Sequence, residues 1–520
     1  MKRIGVFGWG IVAPKSANIE AFEKNLDSAE SWLTPFNGFG PDTFLVGQPE
    51  LDFEDYRPWL EERFPAGRFR QITSKMGTPV LHAIASFIQA LGQNPGLEAE
   101  LKRLDTKTHV YVGTGMGDLA TVHESSIALY HAQRRWDRFW SAPERNAVFR
   151  AWQGTGRPAR PDLPVDPATV GIDERDTTES RWWAYWAAQS PELHEYLAAL
   201  RRIEAANVVG DIERGKMSLL KQKQRLIDQL QAEWSAPEPP WKAVSANVIW
   251  NIHNAAASQI SMLGDFHGLS YAPIGACAGF GLSLKLGMDA IQRGEATAVV
   301  VGSTEPAPHP LIVGGMYTGR ILAADSEVSK PLHGLRGTHI SGGAVIWILG
   351  DWDHMTSLGF TPLGMEPLAV GVSNDAHHII TPSKEGPVLS IEAALERADV
   401  KAADVTSWDL HATATPGDYL EVENLRDVLP KSVLVTARKG TFGHGMAAGG
   451  GWELTAQYLG FMRGRLHPTP LTEAELHPSI AELHRLFVFD EAVEVRPGLA
   501  GKLSMGVGGV NACVISKPLP

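Results

Sequence analysis

The 520-residue chain has two cysteines, Cys277 and Cys513. Two thiols so far apart build neither a disulfide framework nor a Cys₄ or Cys₂His₂ zinc site, so a reducing, cytoplasmic compartment is expected. No run of about 18 apolar residues exists, so no membrane-spanning helix is expected. Basic residues are outnumbered, with 47 Lys and Arg against 59 Asp and Glu, a net charge of −12. That balance argues against a general binder of nucleic acid or acidic membranes, though it is compatible with a local basic patch. Tandem repeats and long low-complexity tracts are absent. Gly8, Gly10 and Pro14 interrupt the apolar start of the chain, so Ile4–Gly8 reads as a first β-strand rather than a secretory signal.

What is present alternates. Short apolar strand candidates are Ile4–Gly8, His109–Gly113, Ala298–Val301, Ala344–Leu349, Val433–Thr436 and Ala512–Ser516. Helical periodicity marks Pro79–Leu91, Leu282–Ile291, Ser390–Arg397 and Tyr419–Val428. The pattern predicts α/β layers around buried sheets. From about 121 to 248 the glycines thin out and half of the chain's 16 tryptophans gather, so a mainly helical insertion is expected there. Its tryptophans read either as an accessory core or as a lid or docking surface. Its basic groups, Arg201-Arg202 and Lys216 to Arg225, read as a solvated helix face or as a contact for an acidic partner.

The chemistry-bearing signal begins at Gly275-Ala276-Cys277-Ala278-Gly279-Phe280-Gly281. It reads as a buried strand, a tight small-residue turn and a helix start. A thiol at a helix N-terminus should have a lowered pKa and act as a nucleophile. Two histidine motifs follow, Asp409-Leu410-His411-Ala412-Thr413-Ala414-Thr415-Pro416 and Lys439-Gly440-Thr441-Phe442-Gly443-His444-Gly445. Each histidine follows a strand candidate, where groups point into a crevice. A thiol and two imidazoles form a nucleophile-plus-acid/base set. The adjacent His377-His378 lacks a third ligand at motif spacing, so no metal site is expected. Gly113-Thr114-Gly115-Met116-Gly117 lacks the spacing of a dinucleotide loop.

These motifs, in this order, resemble the β-ketoacyl synthases, condensing enzymes of the thiolase superfamily. The resemblance extends to Asn254–Ser261, Gly302-Ser303-Thr304-Glu305, Asn374–His378 and Ser504–Asn511. It implies a five-layered α/β/α/β/α fold with two similar halves, 1–325 carrying the insertion and 326–520. It implies Cys277, His411, His444 and Lys439 as catalytic residues, and the N–H groups of Cys277 and Val507 as the oxyanion hole. Thr413, Thr415, Gly506, Val507 and Gly508 would bind substrate.

The implied reaction is decarboxylative Claisen condensation in fatty-acid or type II polyketide or polyene synthesis. It uses no metal or redox cofactor, because the substrates ride on the phosphopantetheine of an acyl carrier protein. A homodimer is implied, or a heterodimer with a ketosynthase-like subunit. The chain departs from the family pattern in places. Gly343 stands where a glutamate is expected to pair with the lysine, His333 replaces an aspartate, and the turn after His411 is a residue short. Val507 stands where a gating phenylalanine is usual, which suggests an altered acyl pocket. Gly343 and the short turn keep a second reading open, a non-catalytic or weakly active partner subunit of a ketosynthase pair.

Overall fold

The structure is a computed structural model that describes residues 2–40, 43–207 and 212–520. The described residues divide into two compact units, Met1–Ala120 with Ile249–Pro520, and Thr121–Val248.

The larger unit holds two five-stranded sheets. The first contains β1 (Ile4–Val12), β2 (Thr108–Gly113), β3 (Ser270–Tyr271), β4 (Ala298–Glu305) and β5 (Gly343–Asp351) in the order β1-β5-β4-β2-β3. The second contains β6 (Met365–Asn374), β7 (Val405–Asp409), β8 (Leu434–Thr436), β9 (Leu499–Gly506) and β10 (Val510–Pro518) in the order β6-β10-β9-β7-β8. Both run antiparallel across their first two pairings and parallel across the last two. The two halves therefore repeat one topology. Because β5 closes the first sheet, the halves divide between residues 351 and 365, later than the boundary expected at 325.

Strand alternation explains the layering. In β5, Val345, Trp347 and Leu349 face one core, while Ile346 and Ile348 face another. On the outer side, α1 (Thr78–Gly92) and α2 (Ala255–Gly264) supply Val80, Ile84, Phe87 and Ile260. On the inner side, α3 (Gly279–Gln292) and α6 (Met446–Met462) share a core with inward residues of both sheets, such as Val301, Trp347, Val370 and Val514. The far face of the second sheet is covered by α4 (Glu385–Ala398) and α5 (Gly417–Val428) through Ile391, Leu395, Val422 and Leu425. The result is helix, sheet, helix, sheet, helix. Cys513 is buried in that last core, far from any exposed thiol chemistry.

The unit Thr121–Val248 is mainly helical, with helices Leu119–Ser141, Ala147–Gly154, Ile172–Ala188, Pro191–Glu204 and Ile212–Trp234. Its tryptophans build two aromatic cores, one around Trp136, Trp140 and Tyr196, the other around Phe149, Trp152, Trp182 and Trp186. Arg201, Arg202, Lys216 and Arg225 lie exposed, and residues 208–211 of the charged stretch between them lie outside the described residues.

Candidate active site

The cysteine turn is a single turn of 3₁₀ helix, Ala276–Ala278, leading into α3. The strand before it is shorter and less buried than expected. Only Ser270–Tyr271 pair as β3, both half-buried, and residues 272–275 run irregularly into the turn. Ala276 takes φ +45°, a left-handed conformation that costs about 1 kcal/mol or more for a residue with a Cβ. Two counterparts flank the histidines, Ala414 at φ +58° and Met446 at φ +49°. Strained backbone thus recurs beside all three candidate groups. Cys277 opens α3 after β3, and His444 stands just before α6 after β8, so the two occupy matching places in the two halves.

Cys277, His411 and His444 line one cavity of about 370 Å³, together with Arg320, Asp375 and His378. Thr413, Thr415, Gly506 and Val507 line it as well. Gly508 does not. It forms a left-handed turn at φ +92°, and its N–H donates to Ile379 O at 2.7 Å. The Nδ1 of His378 accepts from the N–H groups of Ile380 and Thr381.

The thiol is buried at the cavity wall, and burial pushes its pKa up to about 11 rather than down. Hydrogen bonds from the backbone N–H groups of Val507 and Cys277, with the charge of Lys439, work against that rise without cancelling it. The cost of desolvating a thiolate therefore outweighs the helix-start effect expected from the sequence. The same two N–H groups are the pair expected to form the oxyanion hole. Gly506 lets them converge, since a Cβ there would stand 2.8 Å from Gly275 O and 3.2 Å from the nitrogens of Cys277 and Ala278.

Both imidazoles are buried, with ring centroids 5.3 Å apart in an edge-to-face arrangement. Burial first, then the positive charges of Lys439 and Lys502, hold both far below the usual imidazole range, so both are neutral. Lys439 Nζ lies 3.4 Å from His411 Nδ1. An ammonium only donates, so Nδ1 is the acceptor and the His411 proton sits on Nε2. His444 Nδ1 has no partner among the described residues.

The setting of Lys439 departs from expectation. Gly343 cannot supply a carboxylate, for its φ is +136° and a Cβ would meet Val12 O at 2.2 Å. The partner is Glu453 on α6, whose Oε1 accepts from Lys439 Nζ at 2.6 Å while the same ammonium also donates to His411 O. Both Lys439 and Glu453 are buried. The loop after β7 is fixed by α5. Glu421 accepts from the N–H groups of His411 and Ala412 at 2.6 and 2.7 Å, and Asp418 accepts from those of Thr413 and Ala414. Thr413 and Thr415 meet through their hydroxyls at 3.0 Å. The sequence reading missed Glu453, Glu421 and Asp418. A solitary carboxylate in the apolar run of α6 was the available signal, because a buried charge requires a partner. The N–H groups of Gly115 and Met116, in the glycine-rich loop that lacks dinucleotide spacing, are occupied by the chain's own Glu305 at 2.9 and 3.1 Å.

Two family models match the chain. "Beta-ketoacyl synthase, N-terminal domain" covers residues 218–350 and "Beta-ketoacyl synthase, C-terminal domain" covers 366–472. Each half of the chain thus matches a β-ketoacyl synthase model over part of its length. A mitochondrial 3-oxoacyl-[acyl-carrier-protein] synthase of Arabidopsis thaliana is 28% identical over 276 residues, which is 50% of this chain and 59% of that protein. The chain spans roughly half to two thirds of the length of the curated relatives it matches. A β-ketoacyl synthase from Burkholderia phymatum STM815 superposes with a TM-score of 0.70 at 17% identity, covering all of both chains. A type II PKS acyl-carrier protein in complex with its ketosynthase bound to the hexaketide gives 0.66 at 16%, again over all of both chains. These superpositions establish the thiolase-like layered fold.

Proposed function

We propose that the chain is a β-ketoacyl-[acyl carrier protein] synthase. The observation that carries this reading is the meeting of Cys277, His411 and His444 on one cavity, with a neutral imidazole pair beside a thiol flanked by two N–H groups. An acyl thioester on the pantetheine of a carrier protein is attacked by the Cys277 sulfur, and the carrier thiol leaves with the proton. The N–H groups of Cys277 and Val507 face the sulfur and suit the charge that builds on the acyl oxygen. A malonyl thioester then loses CO₂. The Nε2–H of His411 and a ring N–H of His444 donate to the thioester oxygen as the enolate forms. The enolate carbon attacks the acyl–Cys277 carbonyl, the new C–C bond replaces the C–S bond, and the sulfur leaves as a thiolate that takes one proton from solvent to regain the thiol. The steps balance without an electron donor or a metal. Thr413 and Thr415, at the cavity wall, would hydrogen-bond the pantetheine arm.

The proposed partners are an acyl carrier protein and a second ketosynthase subunit, identical or related. Support for pairing comes from β3, an edge strand flanked by the exposed apolar side chains of Leu269 and Ile274. The pathway is fatty-acid synthesis or a type II polyketide or polyene route. The added unit Thr121–Val248 favours a specialised one.

The test is intact-mass analysis after incubation with acyl-carrier substrates. A Cys277 adduct that is absent in Cys277→Ala, with malonyl decarboxylation lost in His411→Ala and His444→Ala, supports the synthase. No adduct with any primer favours the non-catalytic partner subunit.

A further inference from the structure

One buried ammonium has no part in the steps above. Lys502 lies on β9 with 2% of its side chain exposed. Its Nζ donates to Leu410 O at 3.1 Å and to Leu503 O at 2.6 Å. It also stands 2.8 Å from Glu453 Oε2 and 3.6 Å from Asp409 Oδ1. The Glu453 contact is a buried ion pair. Asp409 is held on its other oxygen by buried Arg438 at 3.1 Å. Glu453 thus faces two lysines, Lys439 on Oε1 and Lys502 on Oε2. The consecutive carbonyls of Leu410 and His411 are tied one to each lysine.

We propose that Lys502 is a positioning residue for His411, acting through the Glu453 carboxylate it shares with Lys439 and through the Leu410 carbonyl. The proposal rests on the synthase reading. Without Lys502, one face of Glu453 is released, and the carboxylate is free to turn from Lys439. Leu410 O loses its donor one residue from the imidazole. The local charge changes as well. The groups around His411 are Lys439, His444 and Cys277, Glu453 on α6, Glu421 on α5 and Lys502 on β9. Lys502 is one of the positive charges that oppose protonation of both imidazoles. Deleting it leaves Glu453 less neutralised, so His411 gains proton affinity.

The test compares Lys502→Met and Lys502→Arg with the native chain. The first readout needs no substrate. Ring carbons of histidine are isotopically labelled, His411 is assigned by a His411→Asn control, and its NMR shift is followed from pH 5 to 8. In the native chain the resonance does not titrate. In Lys502→Met its midpoint moves up, so protonation enters the acid end of that range, while burial and Lys439 still hold it below the ordinary imidazole value. In Lys502→Arg, which keeps the charge, it stays silent. The second readout separates half-reactions. Malonyl decarboxylation falls about tenfold or more in Lys502→Met while acyl transfer to Cys277 holds within about threefold.

A folded Lys502→Met whose His411 titrates no differently from the native ring overturns the proposal. So does an equal loss in both half-reactions. If Lys502→Met does not fold, Lys502→Gln, which removes the charge and keeps a polar head, is read the same way: an upward-shifted His411 midpoint with slowed decarboxylation supports the role, and an unchanged ring refutes it. A native chain that never decarboxylates malonyl-carrier refutes the synthase reading instead, and the NMR result still stands alone.

Discussion

Replacing Gly506 by alanine should cost the site far more than it costs the fold. The backbone at this position is not left-handed, so alanine is conformationally allowed. The trouble is contact. The added Cβ would sit 2.8 Å from Gly275 O and 3.2 Å from the nitrogens of Cys277 and Ala278, all backbone atoms that cannot rotate away. Relief requires the end of β9 to withdraw from the cysteine turn by roughly half an ångström, because an ordinary Cβ contact lies at about 3.4 Å or beyond. The next residue is Val507, whose N–H would move with it. A donor that far out of place no longer meets a developing oxyanion within the 2.7–3.1 Å it needs. Loss of one such donor lowers the rate by about 10²–10³, or roughly 3–4 kcal/mol. Overpacking itself costs about 1–3 kcal/mol of stability, which a chain of this size can absorb. The assay is the time course of acyl-adduct formation on Cys277 by intact mass, with thermal unfolding as the fold control. Acylation within threefold of the native rate in a folded Gly506→Ala variant would refute the reasoning.

Three further outcomes are expected. Because burial lifts the Cys277 pKa to about 11, its alkylation by iodoacetamide should be slow at pH 7 and rise about tenfold per pH step to pH 9.5, and an inflection below pH 8 would contradict this. Gly343→Glu, which writes in the glutamate expected from the sequence, should prevent folding rather than improve the site, since φ is +136° and Val12 O stands 2.2 Å from the new Cβ; soluble chain with a native unfolding midpoint would count against that. Val507→Phe should narrow the cavity and slow long primers more than short ones in competition assays, and an unchanged preference removes the gate argument.

Much of the site was legible because its residues interrupt local patterns. Cys277 sits among small residues, and both histidines fall just past strand candidates. The helix α6 was not legible. Met446 to Gly460 are buried on every side, so no amphipathic period exists, and Gly449-Gly450-Gly451 reads as a turn. The glycines serve packing: a Cβ on Gly451 would meet Val345 at 2.4 Å and Phe280 at 2.7 Å, and one on Gly450 would meet Ser504 Oγ at 2.6 Å. Strand β9 was hidden because Gly501 and the charged Lys502 break its apolar run, and β7 because Thr406 and Ser407 dilute it. The raised thiol pKa was out of reach for a different reason. Enclosure depends on what the second half of the chain lays over the turn, and no local motif reports it.

The repeated topology divides labour by half. Under the proposed reaction the first half would supply the atom that makes and breaks covalent bonds, and the second would supply both imidazoles and the charges packed around them, Lys439, Glu453 and Lys502. A chimera that exchanges everything after residue 351 with a relative would therefore transplant the proton-handling apparatus whole, while the acyl-bearing sulfur stayed native.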